Sequence, residues 1–182
     1  MRAWILACLL VALPLAAAEV PTPLRNWLQA LDSAPTPAQL RRAGGPQVAA
    51  LLEQVVRNPK EVGFVRNRAI GLMSLLDDAP SEARLHKLLR LDDDGLRATT
   101  SLAWLAGPAR RHPADVDGTV AALLADPAAV VRSATARGLN YLADRPHARA
   151  LAVQQRARET DAAVRAALDA AIRKLDDPSP RR

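Results

Sequence analysis

The sequence predicts an all-α protein, and three observations carry that expectation. Ala is the most frequent residue while only 3% of the chain is aromatic, a composition that suits packed helices better than sandwiches or barrels. A Val-Arg or Leu-Arg dipeptide recurs at Val65-Arg66, Leu96-Arg97, Val131-Arg132 and Val164-Arg165, with spacings of 31, 35 and 33 residues. Apolar and small residues follow each arginine at helical rather than alternating intervals. With 182 residues, 49% of them hydrophobic and 24% charged, the chain is long enough for one core and too apolar for disorder.

In chain order, residues 1–18 read as an export signal. Arg2 supplies the positive start, residues 3–13 an apolar run, Pro14 a helix break, and Ala16-Ala17-Ala18 a small-residue cleavage pattern that leaves Glu19 first. The run is shorter than the roughly 20 residues needed to span a bilayer, so an uncleaved anchor is the weaker reading. A lipoprotein site at Cys8 fails because about five apolar residues would precede it. The expectation is a periplasmic or secreted protein with no stable membrane insertion once the signal is gone. Cys8 is the single cysteine, which excludes a disulfide framework and a thiolate zinc site.

Residues 19–44 are expected to form a helical cap, with Leu24, Trp27, Leu28 and Leu31 at helical spacing. Four helical pairs follow, over about 45–78, 79–109, 112–144 and 145–177, before a polar tail at 178–182. The second helix of each pair begins near its arginine. Offsets 3, 6, 7 and 10 from that arginine read Ala69, Leu72, Met73, Leu76; Thr100, Ala103, Trp104, Gly107; Thr135, Gly138, Leu139, Leu142; and Leu168, Ala171, Ile172, Leu175. Those offsets share one helical face, the expected core face. The first helices are expected over roughly 46–57, 81–90, 114–125 and 146–158. Prolines at or just before the helix starts (Pro46, Pro59, Pro80, Pro113, Pro127, Pro146) cost no hydrogen bond there. One pair cannot bury its apolar stripe alone, so neighbouring pairs must stack into a short α-solenoid with polar ends.

The segment Asp126-Pro127-Ala128-Ala129-Val130-Val131-Arg132, with Ala134, Gly138-Leu139 and Leu142, resembles the second-helix signature of HEAT repeats. The form is the short bacterial, phycobilisome-lyase type. Residues 160–168 are a second match, whereas Lys60 stands where Asp is expected and Trp104 where Leu is. The resemblance covers about residues 45–177. It implies a ladder of hydrogen bonds between neighbouring repeats, with Asp126 and Arg132 structural and Arg66, Arg97 and Arg165 in the same role. The lyase activity in the repeat's name travels with the name and not with the chemistry.

Chemical motifs are sparse. The histidines, His86, His112 and His147, lie one per repeat, and only His86 has a carboxylate at ligand spacing, Glu82, which makes half a metal site. No nucleophile elbow, Gly-rich phosphate loop or H-E-x-x-H occurs. No catalytic residue, metal or cofactor is expected. The net charge of +6 invites a nucleic-acid reading. Against it, acids are interspersed throughout, Trp104 occupies a core offset, and the basic stripe Arg145, Arg149, Arg156 falls on a first helix. Offsets 1, 5, 8 and 12 point away from the core and are polar or small except in the second copy. There Leu102 and Leu105, joined by Ile70 at offset 4 of the first copy, suggest an apolar patch rimmed by Arg137 and Arg173. The expected function is a non-enzymatic scaffold or adaptor that holds a protein or peptide partner there. The alternative is an accessory enzyme or lyase-like protein that uses the repeats to hold a substrate.

Overall fold

A computed structural model of the chain describes residues 19–30, 32–110 and 116–177. Two short helices come first, α1 (Thr22–Gln29) and α2 (Pro37–Gly44). The pairs α3 (Val48–Arg57) with α4 (Gly63–Ser74) and α5 (Ala79–Leu88) with α6 (Asp94–Ala106) follow. They are succeeded by α7 (Val116–Leu124) with α8 (Ala129–Gly138) and α9 (Arg145–Arg158) with α10 (Ala162–Asp176). The described residues are helical or irregular and hold no strand. Residues 1–18, Leu31, His112 and the tail 178–182, all read above from sequence, lie outside them.

The helix boundaries follow from local chemistry. Thr36 and Gln39 form a reciprocal capping box at the start of α2, Gln39 N–H donating to Thr36 Oγ1 at 3.3 Å and Thr36 N–H to Gln39 Oε1 at 2.8 Å. Asp78, Asp93, Asp144 and Asp161 accept backbone N–H groups at the starts of α5, α6, α9 and α10. Each satisfies a donor that the helix itself leaves unpaired. Gly45, at φ +66°, ends α2 in a backbone region that a side chain would strain.

Helices pack within pairs, and the second helices pack on one another in order, α4 on α6, α6 on α8 and α8 on α10; α1 lies against α2 and α4. Their shared core contains offset −1 throughout (Val65, Leu96, Val131, Val164) and offset 3 (Ala69, Thr100, Thr135, Leu168), all buried. Offset 4 is buried as well in the interior copies, as Ile70, Ser101 and Ala136. In α10, which no later helix covers among the described residues, the same offset is Asp169, only half-buried.

That difference corrects one sequence expectation. Ile70 and Leu105 are both 0% exposed and belong to the core. They are not on an open face. The register of α6 is as read, since Thr100 and Trp104 are buried at offsets 3 and 7. The helix is covered on more sides, because α4, α5 and α8 all pack against it. Gly138 makes room for Leu105: a Cβ at that position would lie 2.4 Å from Leu105 Cδ1. Gly107, at the end of α6, similarly allows close approach to the Ser74 carbonyl, 3.1 Å from where its Cβ would stand.

Between α6 and α8, a buried hydroxyl pair joins Ser101 Oγ and Thr135 Oγ1 at 2.8 Å. Thr135 donates its proton to the Val131 carbonyl one turn back, at 2.8 Å. Ser101 is therefore the donor across the interface.

Candidate functional site

Three of the four repeat-dipeptide arginines, Arg66, Arg97 and Arg132, each do two things. Their own pair supplies a main-chain acceptor: Arg66 Nε donates to the Val56 carbonyl, Arg97 Nη1 to Leu91 and Arg132 Nη1 to Asp126, all at 2.8 Å. These are carbonyls at or beyond the end of a first helix, where acceptors are left over. The next pair supplies a carboxylate. Arg66 reaches Asp93 at 3.4 Å, Arg97 reaches Asp126 at 3.0 Å, and Arg132 grips both oxygens of Glu159 at 2.9 and 3.0 Å. Asp126 thus serves two arginines, its carboxylate for Arg97 and its carbonyl for Arg132. Arg165, the last of the series, is exposed and has no partner among the described residues.

Glu159 is the most enclosed carboxylate of this set, its side chain 3% exposed. Besides Arg132 it accepts from Gln155 Nε2 at 3.1 Å and from the N–H groups of Thr160 and Asp161. The Arg132 hydrogen bonds, helped by those from Asp161 and Gln155, outweigh burial and pull its pKa down to about 2. Arg97 and Arg132 are held charged even more firmly than usual by their hydrogen bonds to Asp126 and Glu159. All of these groups are consumed in joining helices.

Ion pairs also engage several of the remaining arginines. Arg25 bonds Glu61, Arg57 and Arg84 share Glu53, Arg149 bonds Asp176 and Arg156 bonds Asp169. Arg145, on the basic stripe seen in the sequence, donates instead to the Lys174, Leu175 and Asp177 carbonyls that end α10. In this stripe Arg149 and Arg156 are ion-paired and Arg145 is occupied by main-chain carbonyls, so its donors are largely engaged within the molecule.

Arg137, Arg173 and Lys174 contrast with these. All three are exposed, and none of their side chains has a hydrogen-bonding or ionic partner among the described residues. Arg137 and Lys174 line a shallow cleft of about 230 Å³ on the side of the second helices, together with Leu102, Asn140, Tyr141 and Ala170. Of the residues expected on the apolar patch, the structure brings Leu102 and Arg137 into this cleft and puts Ile70 and Leu105 out of reach. Arg173 neighbours the cleft residue Lys174 in sequence. Tyr141 went unremarked in the sequence reading. It is 40% exposed, lies in the turn after α8 and lines the cleft with Arg137. Asn140 Nδ2 donates to the Arg137 carbonyl at 2.6 Å, fixing that turn.

Among the described residues, no group of three or more His, Cys, Asp or Glu is placed to hold a metal. No described helix is long and apolar enough to cross a membrane. His147 meets Asp117 across α7 and α9 at 2.8 Å, and His86 stands edge-on to Trp104, ring centres 6.4 Å apart. Comparison with protein-family models, with curated proteins and with solved structures finds no match to this chain.

Proposed function

We propose that this chain is an exported, non-enzymatic adaptor built as a short HEAT-like α-solenoid, and that it holds an acidic protein segment on the side formed by its second helices. One observation carries the reading. Most described arginines are bonded through their side chains, whereas the side chains of Arg137 and Lys174 are without partners among the described residues and line one cleft with Leu102 and Tyr141, with Arg173 next to Lys174 in sequence. An exposed aromatic flanked by cations has the anatomy of an interface anchor with a charged rim. The partner that fits carries an apolar side chain for the Leu102–Tyr141 surface and carboxylates for the rim. Export rests on the pattern of residues 1–18, and the solenoid on the repeated arginine dipeptides and the successive packing of α4, α6, α8 and α10.

Photo-crosslinking in cells tests the site. A photoreactive phenylalanine at Tyr141 is expected to give a discrete adduct that Arg137→Glu reduces at least about tenfold, because like-charge contact at an interface costs that much. The same probe at Val153, exposed on α9, is expected to give none. Equal yields at the two positions overturn the reading of the cleft. Export is checked by sequencing the amino terminus of the fractionated protein, with Glu19 expected first; a cytoplasmic chain that keeps Met1 removes that part of the proposal.

A further inference from the structure

The Leu102–Tyr141 cleft is small. At about 230 Å³ it falls below the roughly 300–1,000 Å³ of sites that enclose a drug-sized molecule, and it suits a group of about one amino-acid residue. Leu102 and Tyr141 supply apolar surface, and Ala167 and Ala170 of α10 leave that side free of bulk. Arg137 and Lys174 come from the last turns of α8 and α10, where cations commonly serve leftover carbonyls. At the end of α10 Arg145 already serves the Lys174, Leu175 and Asp177 carbonyls, so the Lys174 ammonium is not spent on them. Asn140, in the same lining, gives Nδ2 to the Arg137 carbonyl. Its Oδ1 is the one buried side-chain polar atom without a partner among the described residues. Buried acceptors rarely stay unpaired.

The lining therefore suits an apolar group, an anion and an N–H within the span of one residue. An acidic side chain does not provide this, because Asp and Glu carry the anion in place of the apolar group. In an extended segment neighbouring side chains point to opposite faces, and along a helix same-face pairs are three or four residues apart. The last residue of a polypeptide has all three: its Cα bears the side chain, the free carboxylate and the amide nitrogen. A small free acid has the first two, but sites for small molecules bury roughly 70–90% of the ligand, and a shallow cleft leaves much of it in water.

We propose that this cleft captures the free C-terminal carboxylate of a partner polypeptide whose last residue is apolar and of middling size, such as leucine or valine. The proposal rests on the reading of the cleft as an adaptor surface and names the carboxylate that it takes.

Calorimetric titration of the purified protein with acetylated hexapeptides tests this. A neutral Gly/Ser peptide ending in leucine with a free carboxylate is expected to bind. Its C-terminal amide, the free acid ending in glycine, and an amidated peptide with Leu-Glu at its centre are each expected to bind at least about tenfold more weakly. Isocaproate, which offers the apolar group and carboxylate without a chain, is expected to be weaker by a similar factor. Lys174→Met keeps the aliphatic stem and is expected to weaken the free-acid peptide about fivefold, the upper end for an exposed charge pair. Lys87→Met, on α5 and outside the cleft, removes the same charge and is expected to change nothing. Both lysines are exposed, so neither variant disturbs the core. No binding of the free-acid peptide, equal binding of its amide, of the glycine-ended peptide or of isocaproate, or equal losses in the two lysine variants overturns the proposal. Equal binding of the internal Leu-Glu peptide also overturns it, yet leaves the acidic-segment reading standing, since that reading falls with the Tyr141 crosslink.

Discussion

The helices α6 and α10 start from the same repeat pattern and end in different surroundings. Each carries the Leu-Arg or Val-Arg dipeptide and buries offsets −1 and 3. On α6 the flanking columns are buried too, with Ala98, Ser101 and Leu105 at offsets 1, 4 and 8. On α10 the same columns are Ala166, Asp169 and Arg173, none of them fully buried. The two helices differ because α6 has neighbours on both sides while α10, among the described residues, packs chiefly on α8, the turn after it and α9. A repeat therefore teaches which residues must be buried in every copy, and only position in the stack decides the rest.

Substitutions at offset 8 break this comparison most sharply. Leu105→Asp is expected to destabilise the fold by at least about 3 kcal/mol, since it puts a carboxylate against Gly138 where no partner exists. Arg173→Asp at the same offset of α10 is expected to leave the urea midpoint where it was. Similar midpoints for the two variants would mean that α6 is not enclosed as described.

A smaller effect separates bonded arginines of the ladder from those on the outer stripe. Arg132→Ala is expected to cost about 1–3 kcal/mol, because Glu159 stays buried after losing its bidentate partner. Arg149→Ala removes an ion pair in which both side chains are about half exposed, and no measurable change in urea unfolding is expected. Equal losses would place Arg132 among ordinary surface residues.

The mildest test is acid. Glu159 ordinarily titrates at 4.5 and in the fold at about 2. Between those values the unfolded chain takes up a proton that the folded chain refuses. The stabilisation is therefore whole above about 4.5 and lost as the pH falls toward 2. The urea midpoint is expected to drop over this window, and the drop to be shallower in Glu159→Gln. Indistinguishable pH profiles would remove Glu159 as a source of acid sensitivity.

The helical character was legible because offsets −1, 3, 6, 7 and 10 keep their character from copy to copy. Ile70 and Leu105 were misread because a helical wheel shows direction and not what stands opposite. Gly138, the residue that makes a seat for Leu105, lies 33 positions away on another helix. The arginines announced themselves by period, but their acceptors did not: Asp93, Asp126 and Glu159 differ in type and in context. The full lining of the Leu102–Tyr141 cleft escaped for a related reason, since Leu102, Tyr141 and Lys174 belong to three elements and no spacing along the chain connects them.

The hydrogen bond from Ser101 to Thr135 acts as a stop against sliding. Helices with only alkyl side chains at their seam can shift along one another by a turn, about 5.4 Å, and recover much of the same contact area. Here such a shift would carry the Ser101 hydroxyl away from its acceptor inside a seam that water does not reach. The seam thus admits one phase, with the hydroxyl pair recording it much as a keyway fixes a shaft. Every residue beyond α8, including the cations of α10, takes its place relative to Leu102 from that single setting.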